Sequence, residues 1–182
     1  MLFRSMSISS ALGAVIMPRT SNLIAEERMD EFKALVQKSY DFIFALAMPL
    51  MVGLIFTSPN AVLLLSGEGF VPAILTSQIV AFNILTVGLS GVMGIQVLYP
   101  LGKINIVILC TSIGAIINVF LNVLLIPRYG HNGTAVAYML AEMTVTVSMF
   151  FIGKRYIPIR FLKRQHLNYV LGSVVMGVCL YF

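Results

Sequence analysis

Charge is what this sequence has least of. Only 10% of its 182 residues are Asp, Glu, Lys or Arg, against about 25% in a soluble domain, and 59% are apolar. That balance excludes a soluble globular protein and leaves an integral membrane protein. Cysteine is nearly as scarce. Cys110 and Cys179 each stand alone inside an apolar run, which excludes a zinc motif or a redox pair and leaves two small buried hydrophobes. No nucleophile lies beside a base, no metal-ligand spacing occurs and no glycine loop is built to cradle phosphate. Neither an enzyme nor a cofactor or metal is expected.

The few charges that exist are clustered. Glu26, Glu27, Asp30, Glu31 and Asp41 fall in one short segment, and five basic residues fall between Lys154 and Arg164. The net charge of +5 is therefore a property of loops, and it suits an anionic lipid surface better than nucleic acid.

A spanning helix needs about 20 predominantly apolar residues. The stretches 72–98, 104–126 and 134–153 meet this, and 41–56 is a shorter fourth. "TSPN" should turn the chain after that fourth span, ahead of a short interfacial helix in "AVLLLSG". Pro49 lies inside it, which a bundle tolerates because neighbouring helices re-satisfy the freed carbonyl. The expected architecture is all-α: about four full transmembrane helices in 41–153 and partial ones at 1–17 and 168–182. Residues 18–40 form a cytoplasmic amphipathic helix along the interface, with Phe32, Leu35, Val36 and Tyr40 on its apolar side. Residues 154–167 form a basic cytoplasmic loop. Segment 2–17 lacks the layout of a signal peptide, and both end segments read as pieces of longer helices.

Successive loops carry four, none, one, one and five Lys or Arg, which places the first, third and fifth loops in the cytoplasm.

Polar residues recur inside the spans. Asn118 and Asn122 share a helix face that Thr111 and Ala115 extend. Thr134, Tyr138, Glu142 and Thr146 recur every four residues in the next span, and Asn83, Thr86, Ser90 and Gly94 follow one side of the span before it. Such groups face a bundle interior or a water-filled cavity, so the three stripes could line one shared cavity. The pathway candidates are Asn83, Asn118, Asn122, Tyr138 and Glu142. Glu142 is the only acid well inside a span. Two readings stand: an ionisable group on a transport path, or a protonated acid bonded to Asn or Thr for packing. For the asparagines, interhelical glue of about 0.6–2 kcal/mol is the simpler role. Gly88, Gly91 and Gly94 permit close helix approach. "IPRYGHNG" stops a helix, since Pro127 breaks the ladder and Gly130 and Gly133 supply turn geometry.

Several short motifs, in order, resemble one family. They are Pro18-Arg19 with Ser21 and Asn22, then the charged amphipathic helix, Pro49, Ser58-Pro59 and the Gly67-x-Gly69-Phe70 turn. "GIQVLYPLGK" (94–103) and "INVFLNVLLIPRYGHNGTAVA" (117–137) follow. Together they resemble the carboxy-terminal half of bacterial polysaccharide flippases, the Wzx-type proteins of the multidrug/oligosaccharidyl-lipid/polysaccharide exporter superfamily. The resemblance implies two pseudo-symmetric six-helix lobes around a central cavity in the bacterial cytoplasmic membrane. It implies flipping of an undecaprenyl-diphosphate-linked oligosaccharide for O-antigen, capsule or exopolysaccharide assembly. The chain would hold most of the second lobe, with the amino-terminal lobe as its missing partner. Family cavities hold basic residues that attract the diphosphate. Here Arg4 and Arg19, at the cytoplasmic mouth, are the nearest candidates. A proton or sodium gradient would drive the cycle, and Glu142 is where proton coupling would sit. Multidrug antiport in the same superfamily is the rival, and an inactive truncated remnant is a further one. A glycan-assembly enzyme is disfavoured, since the two outward loops carry only Glu68, Arg128 and His131 as ionisable groups.

Overall fold

A computed structural model describes residues 16–157 and 164–181, and every regular element in them is helical. Residues 16–25 form α1, and a turn with Glu27 at φ 59° leads into α2, Met29–Ser66. A short 3₁₀ turn, Glu68–Phe70, precedes α3 (Ala73–Ala81) and α4 (Asn83–Gly91). The chain continues as a π-helical stretch, Val92–Leu98. Then come α5, Ile104–Gly153, and α6, Arg164–Tyr181. Among the described residues three segments are long and apolar enough to cross a membrane: Met29–Ser66, Ala73–Leu98 and Ile104–Gly153.

Four sequence expectations need correction. The amphipathic segment 18–40 is not one continuous helix. It breaks at 26–28, and its second part is the start of α2, which at 38 residues is about 57 Å long. Its expected apolar side is nonetheless the packed side, with Phe32, Val36 and Tyr40 buried.

The second correction concerns "TSPN", which makes no turn. Pro59 has no N–H to give the carbonyl of Ile55, four residues back. Two side chains take over that role: Ser58 Oγ donates to Ile55 O at 3.0 Å and Gln78 Nε2, from α3, donates at 3.1 Å. With its freed carbonyl satisfied, α2 runs through to Ser66.

The third concerns the span 72–98, which is not one regular helix. It is interrupted at Phe82 and widens to π winding from Val92. The fourth concerns 154–167, which is not loop throughout, because α6 already begins at Arg164. His166 is only 2% exposed and its Nε2 lies 3.1 Å from Asp41 Oδ1 of α2. The rings of Tyr40 and Phe44 pack against it. This contact draws the start of α6 onto the bundle. Of the two cysteines, Cys110 is buried as expected and Cys179 is exposed on α6.

At Gly130 (φ 54°, ψ −130°) α5 leaves helical geometry, in a region open to glycine. The two limbs fold back on each other. A Cβ on Gly133 would lie 2.6 Å from Leu125 O, and one on Gly114 would run into Val145. Each limb can cross a hydrocarbon layer of about 30 Å. At the bend, Thr76 Oγ1 of α3 donates to Asn132 Oδ1 at 2.6 Å. At the opposite end lies the main core, where Phe32 and Val36 of α2 meet Met93 and Val97 of the π stretch and Met149 of α5.

Replacing both Ser58 and Gln78, as Ser58→Ala/Gln78→Leu, strands the Ile55 carbonyl and should cost about 1–3 kcal/mol. Thermal unfolding in detergent checks this. Pro59→Ala in the same background should recover most of the loss, because it returns an N–H to Ile55.

Candidate functional site

One cavity of about 540 Å³ lies between α4 with its π extension and the two limbs of α5. Ser90, Gly91, Gly94, Ile95 and Tyr99 form one wall. Thr111, Gly114, Ala115 and Asn118 come from the first limb of α5, and Tyr138, Ala141, Glu142 and Met149 from the second. Small residues make the room. A Cβ on Gly91 would meet nothing within 4 Å, so this glycine opens directly on the cavity, whereas Gly94 is packed, its Cβ position 3.6 Å from Met149 Sδ.

The three polar stripes meet here in part. From the first limb, Thr111, Ala115 and Asn118 reach the wall; from the second, Tyr138 and Glu142; from α4, Ser90, and from its π extension, Gly94. Several of these polar groups are turned inward. Thr111 Oγ1 donates to Val107 O at 2.9 Å and Ser90 Oγ to Val87 O at 3.2 Å. Glu142 is half-buried on the wall, and its carboxylate makes no ion pair among the described residues.

Asn122 lies one turn nearer the Gly130 bend and does not line the cavity. Its Nδ2 donates to Asn118 Oδ1 at 3.0 Å and to Asn118 O at 2.9 Å, so the pair bonds within its own helix. Asn83 does not line it either. It is fully buried, and neither its Oδ1 nor its Nδ2 has a partner. Arg19 is exposed on α1 and away from the cavity wall, and Arg4 lies outside the described residues.

What the sequence did not single out is Tyr99, at the rim, and the buried Gln96 beside it, whose Oε1 is unpartnered. Their placement follows from π winding, which no local residue pattern announces. The crossing that holds the wall together is a threonine. Thr146 Oγ1 donates to Glu142 O at 2.8 Å and across to Thr86 O of α4 at 3.0 Å. Among the described residues no group of three His, Cys, Asp or Glu could hold a metal ion.

Apolar spans around a partly polar, half-open cavity define a multi-pass membrane protein. The chain belongs to the lipid II flippase MurJ family, whose pattern matches residues 5–182, within the superfamily of multidrug, oligosaccharidyl-lipid and polysaccharide flippases. That family consists of transporters rather than catalysts. A relative in Methanocaldococcus jannaschii, the uncharacterized membrane protein MJ1068, is 22% identical over 164 residues, covering 90% of this chain and 32% of that protein. The chain thus spans about a third of the length of the curated relative it matches. No solved structure matches it.

Thr146→Val removes the one side-chain donor that crosses from α5 to α4 at this level. It should cost about 1 kcal/mol, in the range of single interhelical bonds in lipid. Unfolding titrations in mixed micelles measure it.

Proposed function

We propose that this chain forms one wall of a flippase that carries an undecaprenyl-diphosphate-linked oligosaccharide across the bacterial cytoplasmic membrane for surface polysaccharide assembly. The observation that carries the reading is the cavity. Among the described residues it is lined by α4, its π extension with Tyr99, and α5, and it offers Ser90, Tyr99, Thr111, Asn118, Tyr138 and Glu142 within a mostly apolar wall. Amide, hydroxyl and carboxylate groups hydrogen-bond well to sugar hydroxyls, and the apolar remainder tolerates an isoprenoid chain. The wall carries no Lys or Arg. A glycan fits such a surface better than a diphosphate does. The order of motifs from Pro18 to Ala137 supports the oligosaccharide branch, whereas the family description favours lipid II, whose headgroup shares the same diphosphate chemistry. The second wall would come from an amino-terminal lobe, and Glu142 is placed to accept and release a proton as the cavity changes its access.

Proteoliposomes holding a complete relative, or this chain with a complementing lobe, should translocate a fluorescent undecaprenyl-diphosphate oligosaccharide. The chain alone should not. Transport confined to lipid II would replace the proposed cargo, and drug-stimulated sodium flux would move the protein to the antiport branch. Within the transporting protein, Gly91→Phe should abolish translocation with little change in Tm, because its side chain fills open cavity. Glu142→Gln should flatten the pH dependence of flipping, and an unaltered pH profile would remove Glu142 from the coupling step.

A further inference from the structure

The charged residues at the cytoplasmic end behave in two ways. In the turn between α1 and α2 the cations are matched by acids: Arg28 pairs with Glu26 at 2.8 Å and Glu31 at 2.7 Å, and Lys33 with Asp30 at 3.2 Å. At the two other loops on that side the cations have no acid to meet. Residues 99–103 and 153–157 contain no Asp or Glu, and Lys103, Lys154 and Arg155 are exposed and make no ion pair among the described residues.

These two loops are neighbours. Lys103 Nζ lies 5.7 Å from the ring centre of Tyr156. One turn back, a Cβ on Gly153 would be 3.0 Å from Met93 Sδ, so the end of α5 is pressed against the π stretch that leads into the 99–103 loop. Lys154 Nζ sits 4.5 Å from the ring centre of Phe151, which fixes it near the edge of the apolar zone. The same loop reaches the cavity. Tyr99 lines it, and Gly102 N donates to Tyr99 O at 3.0 Å, so the turn carrying Lys103 is tied to a cavity residue.

We propose that Lys103, Lys154 and Arg155, with Tyr156 between them, form a rim that binds the diphosphate of a lipid-linked cargo while its glycan enters the cavity beside Tyr99. The inference rests on the cargo class proposed above and adds to it the recognition residues. Cavity and rim divide the work by chemistry: hydroxyl-matching groups without cations inside, unpaired cations without acids at the entrance. A diphosphate diester bears two negative charges where an ordinary anionic phospholipid bears one. Three cations carried on two adjoining loops therefore favour the doubly charged group over the singly charged one.

The test uses the full 182-residue chain in nanodiscs of zwitterionic lipid, with undecaprenyl diphosphate as the probe. Undecaprenyl monophosphate and phosphatidylglycerol serve as comparison ligands. Lys103→Gln/Lys154→Gln/Arg155→Gln together should weaken diphosphate binding about tenfold, equivalent to about 1.4 kcal/mol. The charge-keeping triple Lys103→Arg/Lys154→Arg/Arg155→Lys should retain binding, and so should Lys33→Gln, which removes a cation already paired with Asp30. Unchanged affinity in the glutamine triple overturns the rim. So does an equal loss for phosphatidylglycerol, which would mark the patch as a general lipid contact. If the unaltered chain shows no preference for the diphosphate over phosphatidylglycerol, the cargo class itself fails, which is a different result from a preference that survives the triple.

Discussion

Inside a bilayer a backbone carbonyl that loses its helical partner has no water to turn to, and the arrangement of this bundle follows from how such groups are satisfied. Pro59 releases the carbonyl of Ile55, and the answer comes from Ser58 in the same turn and from Gln78 on the next helix. That one acceptor keeps α2 helical and pins α3 to it. The glycines at positive φ stand where the chain turns between spans. Gly130 turns the chain at the tip of the α5 hairpin, and Gly67 and Gly102, also at positive φ, stand in the short connections.

With the backbone settled, small residues decide where helices touch and where they part. Gly133 and Gly114 let the two limbs of α5 close on each other, and Gly177 lets α6 lie against Phe56 and Val52 of α2. Gly91 does the reverse, leaving space that nothing fills. The cavity exists because that side of α4 withdraws from α5 while the π stretch below it stays packed through Met93 and Met149. Glu142 stands at this boundary. Its own carbonyl is bound by Thr146 while its side chain is left to the cavity.

Hydropathy made the spans legible, and four-residue spacing made the stripes legible. Thr111, Ala115 and Asn118, and likewise Tyr138 and Glu142, share a wall because α5 is regular on both limbs. The same argument failed on the preceding span. Ser90 and Gly94 reach the cavity, but Asn83, on the same face of α4 as Ser90, stands two turns, about 10.5 Å, farther along the axis and is buried beyond the cavity wall. The turn expected at "TSPN" failed for a different reason. Its outcome depended on Gln78, 23 positions from the Ile55 carbonyl it meets, which no local pattern connects to Pro59. The same is true of His166, which reads as part of a basic loop until Asp41, 125 residues earlier, is seen to meet it. Local periodicity carries information about faces, and long-range hydrogen bonds then decide how the chain bends between them.

The uninterrupted course of α2 has a mechanical meaning. α2 stays helical over about 57 Å with no positive-φ residue, although Pro49 and Pro59 lie within it, so a 5° tilt about its middle would move each tip by about 2.5 Å in opposite directions. α6 is fastened to it twice on the same flank, through His166 near the charged tip and Gly177 farther along, and swings with it as a strut. Gln78 couples the far part of the lever to α3, which continues into the helix bordering the cavity. The acidic turn before α2 is thereby linked, through α2, Gln78 and α3, to the helix that borders a chamber the turn never touches.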